Sequence, residues 1–316
     1  MIKYSFLKEY FIEALLSVAT IYLFIIIGFI YKKVFQNQVN ERSFVLLNLY
    51  FLQPILIFWG LTRAKLNENF LISPLIYFVA IFITLAIAFI YAKKLFKQKP
   101  QDKSVFLACS LVGNTGNLGI PLGIALFGEA SVPYTSILNI ANVFFIYIFS
   151  VYFFAGDKFK FINAIKEIIK IPAIHVTVIA IAYNYFDFTL NEDFDKLFTM
   201  GAYAAIVMQL VVFGIFMSEV KIKTANWSLS INVVLFKHIV LPLIGLFVIL
   251  YFNIDPFIGS IIFLELIVPL AVNNVNLASL YNCKPVDTTF SILISSIIFI
   301  VLIYLYILII HTFFGI

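Results

Sequence analysis

Residues 104–128, SVFLACSLVGNTGNLGIPLGIALFG, decide the fold of this chain. The stretch is long enough for a membrane-spanning helix, which needs about 20 mostly apolar residues, yet its centre carries glycines, asparagines and a proline. Proline removes a helix hydrogen bond, and glycine and asparagine tolerate non-helical backbone. Irregular backbone persists in lipid only where protein or water covers it. We therefore predict that this helix unwinds around residues 113–120 and faces a cavity.

A second interrupted stretch, PFIGSIIFLELIVPLAVNNVNLASLYNC, occupies residues 256–283. Pro269 is followed by Asn273, Asn274 and Asn276. Amides packed this densely are costly on a helix that faces lipid. The sequence predicts a second break around residues 267–274, again in polar surroundings.

The composition indicates an all-α integral membrane protein. Of 316 residues, 63% are hydrophobic and 12% charged, whereas soluble domains are about 45–50% apolar and roughly 25% charged. These values exclude a soluble enzyme, a disordered chain and a nucleic-acid-binding domain, and two cysteines provide no disulfide framework or zinc site. We predict ten transmembrane helices, at residues 11–31, 44–62, 72–92, 104–127, 132–155, 168–186, 198–218, 231–251, 257–282 and 288–312.

The two interrupted spans occupy matching places in the chain. Spans one to five form a first five-helix repeat (1–155), and spans six to ten form a second (168–316), joined by a short cytoplasmic linker (156–167). Each interrupted span is the fourth of its half. Because five is odd, the second repeat is inverted relative to the first. Inverted repeats with broken helices in corresponding positions are typical of secondary transporters.

The basic residues predict the orientation. Positively charged loops face the cytoplasm, so the excess of Lys and Arg in alternate loops puts both termini outside an inner (plasma) membrane that the chain crosses many times. The net charge of +5 therefore reflects topology and contact with the lipid bilayer, with no nucleic acid partner. The predicted cytoplasmic set is Lys32, Lys33, Arg42, Lys93, Lys94, Lys97, Lys99, Lys103, Lys158, Lys160, Lys166, Lys170, Lys221, Lys223 and Lys284, and the outer set is Lys3, Lys8, Arg63, Lys65 and Lys196.

Four sequence segments resemble the auxin efflux carrier family, in particular its compact prokaryotic branch. Residues 114–122 are similar to that family's N-x-G-x-x-G-x-P segment in span four. The weaker matches are residues 268–271 with Ala278 to Tyr281, Lys237 with Pro242, and Gln53 with Pro54.

The resemblance implies a fold related to that of bile acid:sodium symporters and sodium/proton antiporters, in which broken spans four and nine cross. It implies that spans one, two, six and seven form a scaffold with homodimer contacts, against which the other spans move as an elevator. It also implies a small organic anion as substrate, such as indole-3-acetate, malate or malonate. Asn117 stands where the family pattern has an apolar or aromatic residue. We therefore expect the substrate choice of this chain to differ from that of other family members.

The interrupted spans also predict an anion site on physical grounds. The N-terminus of each second half-helix carries roughly half a positive charge and free N–H groups. Asn114 and either Asn273 or Asn274 add amide donors, so a carboxylate binds without a fixed cation. In the alternative, structural interpretation, these amides hydrogen-bond to backbone groups that the breaks leave without a helical partner. The candidate substrate-binding set is Asn114, Gly116, Asn117, Gly119, Pro121, Pro269, Asn273, Asn274 and Asn276.

Three ionisable side chains lie well inside the spans, namely Lys237, His238 and Glu265. Such residues are rare and often functional in membranes. Glu265 and Lys237 form either a structural ion pair or a protonatable coupling site, and His238 titrates near neutrality when unperturbed. We expect no cofactor, and the sequence leaves sodium coupling, proton coupling and no coupling open.

The predicted function is therefore secondary transport of small organic anions such as carboxylates. A channel or a membrane sensor of the same fold is an alternative. An intramembrane enzyme is less favoured, because the three histidines fall on separate spans without a metal-binding spacing.

Overall fold

The structure is a computed structural model that describes residues 2–63, 68–218 and 225–315. Side chains are described at residues 12, 16, 18–63, 68, 70–218 and 225–315. The basic side chains that entered the orientation prediction at Lys3, Lys8, Lys65, Lys221 and Lys223 lie outside these residues.

All regular elements of the described residues are helical. Sixteen α-helices follow in chain order: α1 (Ile2–Phe35), α2 (Glu41–Leu47), α3 (Gln53–Thr62), α4 (Glu68–Leu95), α5 (Pro100–Cys109), α6 (Ile120–Phe127), α7 (Val132–Phe145), α8 (Val151–Ala155), α9 (Phe161–Ile169), α10 (Pro172–Tyr185), α11 (Glu192–Ser218), α12 (Trp227–Leu235), α13 (Leu241–Tyr251), α14 (Pro256–Ile267), α15 (Asn273–Leu280) and α16 (Pro285–Phe314). Wide π-helical turns at Asn48–Leu52, Thr115–Gly119, Ile146–Ser150 and Phe236–Val240 join several of them end to end.

Seven segments of the described residues are long and apolar enough to cross a membrane, which is the pattern of a multi-pass membrane protein. They are Val18–Gln38, Glu41–Thr62, Phe70–Leu95, Glu129–Lys158, Glu192–Ser218, Trp227–Tyr251 and Pro285–Phe314. The three remaining predicted spans are shorter helices. Spans four and nine each consist of two half-helices, and span six is α10 alone, which begins at Pro172 because proline suits a first helical turn and interrupts a preceding helix.

Three of the four π-helical turns precede a proline. Pro54, Pro121 and Pro242 each lie two residues after the end of such a turn. Proline supplies no N–H and clashes with the carbonyl four residues earlier, and a wide turn accommodates both defects without ending the helix. Pro121 thus marks a bulge in span four, not the break itself.

The predicted cytoplasmic linker, residues 156–167, is largely helical. A 3₁₀ turn at Gly156–Lys158 leads into α9, which buries Ala164 and Ile168 and exposes Phe161 and Ile162. A short helix with one apolar side and flanking lysines is suited to the membrane interface.

The helices pack as two groups. In the first group, α1 lies so close to α11 that a Cβ added at Gly28 or Gly214 would overlap backbone of the other helix, and α3 packs against both α10 and α11. In the second group, α4 packs against α7 and α13, and α16 packs against α12, α14 and α15. The two groups meet along α3 with α7 and along α1 with α6.

Candidate functional site

The two interrupted spans cross at non-helical segments in the second helix group. Span four is irregular from Ser110 to Asn114, between α5 and the π-helical turn, and span nine is irregular from Val268 to Val272, between α14 and α15. The second break lies within the predicted range. The first precedes most of the predicted range of 113–120, because residues 115–119 remain in a helical turn.

The crossing segments pair through their backbones. Asn114 N donates to Pro269 O at 2.7 Å, and Ala271 N donates to Val112 O at 3.2 Å. Gly113 and Leu270 form an antiparallel bridge between these two hydrogen bonds. Each break therefore satisfies part of the backbone that the other frees, as an apolar environment requires.

An amide network from α7 supports the first break. Asn142 Nδ2 donates to Gly113 O at 2.8 Å and to Thr115 Oγ1 at 3.0 Å, and its Oδ1 accepts from Tyr77 OH at 3.1 Å. Thr115 Oγ1 donates in turn to Asn139 Oδ1 at 2.9 Å. The network fixes the backbone on which Asn114 is presented.

Lys237 and Glu265 lie fully buried behind the crossing. Lys237 Nζ donates to Leu266 O at 2.9 Å, at the end of α14. The Glu265 carboxyl group packs directly on Gly119, where an added Cβ would overlap both of its oxygens. Neither carboxyl oxygen has a hydrogen-bond partner among the described residues, so the structure holds no direct ion pair between these two residues, although they lie close enough to interact through their charges.

His238 supports the second break. Tyr306 OH donates to His238 O at 2.9 Å, so the same hydroxyl oxygen is free to accept from Nδ1–H at 3.0 Å. Nε2 then accepts from the Ser295 hydroxyl at 2.8 Å, and Ser295 Oγ accepts from Leu270 N at 3.0 Å. His238 thus links Tyr306 to Ser295, and Ser295 holds the non-helical segment of span nine.

A cavity of about 190 Å³ opens at the crossing. A single water needs about 10–15 Å³ of such volume, so the cavity has room for several waters and suits a small solute. Asn48, Gln53, Asn114, Thr115, Asn117, Asn139, Asn142, Tyr147, Asn273 and Asn276 are its polar lining residues. All the lining side chains in the described part of the chain are uncharged.

The predicted site residues divide into two sets. Asn114, Gly116, Asn117, Asn273 and Asn276 line the cavity. The other predicted residues do not line the cavity. This second set is Gly119, Pro121, Pro269 and Asn274, together with Lys237, His238 and Glu265.

Spans two and five contribute cavity side chains that are absent from the site predicted from the sequence. Asn48 and Gln53 flank a π-helical turn that precedes Pro54, and this spacing of amides and proline is the signal that identifies them. Asn139 and Asn142 of α7 hydrogen-bond to span four and also line the cavity.

Several buried amide atoms at the crossing have no hydrogen-bond partner among the described residues. They include the donors Asn114 Nδ2 and Asn139 Nδ2 and the acceptor Asn48 Oδ1. All three residues line the cavity. Buried polar atoms are rarely left unpaired without a reason, so these three amides are candidates to bind a polar solute in the cavity.

Two helix beginnings also converge on the cavity. Thr115 and Gly116 begin the second half of span four, and Asn273 begins α15 in span nine. Free N–H groups and the positive end of the helix dipole favour an anion at such positions. The geometry therefore combines neutral amide donors with two positive helix ends.

The sequence of this chain is similar to those of known transport proteins. The sequence model of a family described as membrane transport protein matches residues 13–307. A protein of Methanocaldococcus jannaschii named as an uncharacterized transporter is 23% identical in an alignment of 297 residues that covers 88% of this chain and 95% of that protein. The family match includes both breaks and every residue that lines the cavity.

Proposed function

Because this chain belongs to the membrane transport protein family, the family of auxin efflux carriers, we propose that it is a secondary transporter of small organic anions such as carboxylates. Its family and its archaeal relative are transporters, which rejects the enzyme alternative. A channel or sensor of the same fold is the competing proposal, and concentrative, saturable uptake separates transport from both.

The cavity at the crossing is the observation that carries the proposed substrate class. Unpartnered amide donors on Asn114 and Asn139 meet the beginnings of two half-helices there. These groups stabilise a carboxylate through charge-assisted hydrogen bonds. They bind it without a lysine or arginine, which keeps affinity moderate and favours release.

The proposed architecture has ten spans in two inverted repeats, 1–155 and 168–316, with the linker 156–167 between them. The crossing supports it, because the interrupted pairs α5–α6 and α14–α15 occupy the fourth place in each half of the chain and pair antiparallel. Both termini then lie outside the inner (plasma) membrane.

We also propose an elevator movement of the second helix group against the first. The first group, formed by spans one, two, six and seven, is then the scaffold and carries the homodimer contacts. The cavity is lined by Val45 to Gln53 in the first half of span two and by Ile146 and Tyr147 in the second half of span five. Those parts of the spans lie toward the predicted cytoplasmic loops, so the structure corresponds to an inward-facing state in this proposal.

A polar cluster at the opposite end of span two supports such a division. Arg63 pairs with Asp195 at 2.8 Å within the first helix group and with Glu129 of the second group at 3.1 Å. Tyr203 of the first group donates to Glu129 at 2.6 Å. Sliding of one group past the other breaks the contacts of Glu129 and leaves those between Arg63 and Asp195 intact.

A thermal-shift screen of the purified protein against monocarboxylates and dicarboxylates, with and without sodium, tests the substrate class. A ligand that binds the folded state raises the melting temperature by mass action. We expect a carboxylate to stabilise the wild type and to lose most of its effect in Asn114→Ala and Asn273→Ala. Asn232→Ala is the control, because its hydrogen bonds to Ser228 and Tyr91 lie outside the cavity. Wild-type shifts in both crossing variants contradict the proposed site.

A further inference from the structure

Resting on the proposed function, we infer that the cavity selects singly charged carboxylates and rejects dicarboxylate dianions. The inference concerns the net charge that the site is able to balance. It narrows the substrate class from organic anions in general to monoanions, and it follows from which charged groups surround the cavity.

The cavity walls contain amides where a dianion site needs cations. The polar lining includes Asn48, Gln53, Asn114, Asn117, Asn273 and Asn276, and none of its side chains in the described residues carries a formal charge. Burial of a charge without a counter-charge is strongly unfavourable. The fixed positive charge available to a substrate must therefore come from the backbone.

The backbone supplies at most about one positive charge. Each helix beginning is equivalent to roughly half an elementary charge, and two of them, at Thr115 and at Asn273, reach the cavity. The C-terminal ends of α5 and α14 lie at the same crossing and carry partial charge of the opposite sign, so the backbone balances at most one carboxylate. The second carboxylate of a dianion finds amide donors but no further charge.

The nearest ionisable side chains are a pair of opposite formal charge that lies behind the crossing. Lys237 approaches the crossing, since a Cβ added at Gly113 would lie 3.0 Å from its Nζ, and Glu265 packs on Gly119. Neither lines the cavity, and both are fully buried. Their formal charges are opposite, so the pair contributes no net charge when both are ionised or when both are neutral.

Matched methyl esters test the inference, because each esterification removes one negative charge from the same carbon skeleton and adds only a methyl group. Malonate, monomethyl malonate and dimethyl malonate carry two, one and no negative charges at pH 8, where free carboxyl groups are ionised. A succinate series repeats the comparison with a longer spacing. We expect calorimetric titration of the full-length protein at fixed ionic strength to show the monoester binding about tenfold or more tightly than the dianion, and more tightly than the diester.

The outcomes separate this inference from the proposed function. A dianion that binds as tightly as its monoester overturns the monoanion preference and leaves carboxylate transport standing. A diester that equals the monoester shows that charge is not recognised, which also overturns it. Failure of every carboxylate, including acetate and lactate, contradicts the proposed function itself.

A charge-adding variant gives a second test. Gln53 lines the cavity and is half-buried, so Gln53→Lys adds the missing counter-charge. We expect the ratio of dianion to monoester affinity to rise about tenfold or more. Asn117→Lys, at another half-buried lining position, is the alternative where Gln53→Lys fails to fold. Asn163→Lys on the exposed side of α9 adds the same charge outside the cavity and should leave the ratio unchanged. An unchanged ratio in both cavity variants overturns the inference.

Discussion

Asn142→Ala removes the side chain that holds the first break. Asn142 makes three hydrogen bonds, with Gly113 O at 2.8 Å, Thr115 Oγ1 at 3.0 Å and Tyr77 OH at 3.1 Å. A hydrogen bond contributes a net of about 0.5–1.5 kcal/mol, so the three together contribute about 1.5–4.5 kcal/mol. The loss lies toward the upper end, because the Gly113 carbonyl group and the Tyr77 hydroxyl group are left without this partner.

Thermal unfolding in detergent measures this loss. A change of 1 kcal/mol shifts Tm by about 2–4 °C in chains of 150–250 residues and by less in a chain of 316 residues, so we expect Asn142→Ala to melt about 5–10 °C below the wild type. Tyr77→Phe removes only one of the three hydrogen bonds and should cost about a third as much. The double variant should fall by less than the sum of the two, because they share a hydrogen bond.

Two results would refute this reasoning. A Tm of Asn142→Ala equal to that of the wild type would show that the network does not hold the break. Additive losses in Tyr77→Phe and Asn142→Ala would show that the hydrogen bond between them contributes nothing.

Three further predictions concern coupling and movement. If Glu265 couples proton movement to transport, Glu265→Gln should make transport insensitive to an imposed pH gradient while substrate binding remains measurable. If Glu265 instead compensates the charge of Lys237, the same substitution should lower stability, and Lys237→Met should partly restore it. A stable Glu265→Gln protein with an unchanged gradient response would reject both roles. Pro121→Ala and Pro269→Ala should slow transport but lower Tm only slightly, because each removes a backbone constraint worth about 0.4–1 kcal/mol. Normal transport rates in both variants would show that proline does not maintain the bulge in span four or the break in span nine. Glu129→Gln removes exposed ionic contacts worth about 0.2–1 kcal/mol, so it should raise the outward-facing fraction by up to about fivefold in cysteine-accessibility assays, and an unchanged fraction would contradict the movement.

Local chemistry made the second break predictable. Pro269 with Asn273, Asn274 and Asn276 predicts an interruption at residues 267–274, and the irregular segment is Val268–Val272. A proline and dense amides are incompatible with a lipid-facing helix wherever the rest of the chain lies. Such a signal needs no knowledge of tertiary contacts.

The first break lies N-terminal to most of its predicted range, because a glycine in a sequence indicates either unwinding or close packing. Gly116 and Gly119 were interpreted as sites of unwinding. In the structure they remain in a helical turn, and their missing side chains make room for Asn139 and Glu265, which an added Cβ would meet. Which meaning applies depends on a partner distant in sequence, so local pattern alone does not decide it.

The same limit applies to the cavity walls from spans two and five. Asn48, Gln53, Asn139 and Asn142 are amides within mostly apolar spans, and interhelical hydrogen bonding is the common role of such residues. Only the packing of α3 and α7 around the crossing brings them to the cavity.

Counterflow of a radiolabelled monocarboxylate into proteoliposomes tests the central claim most directly. Wild type and Asn232→Ala should show saturable uptake with the same affinity. Asn114→Ala and Asn273→Ala should each need about tenfold or more substrate for half-maximal uptake, since each loses a hydrogen bond to a charged group, worth about 1.5–3 kcal/mol. Wild-type affinity in both crossing variants, or an equal loss in Asn232→Ala, would contradict the claim that the crossing binds the transported anion.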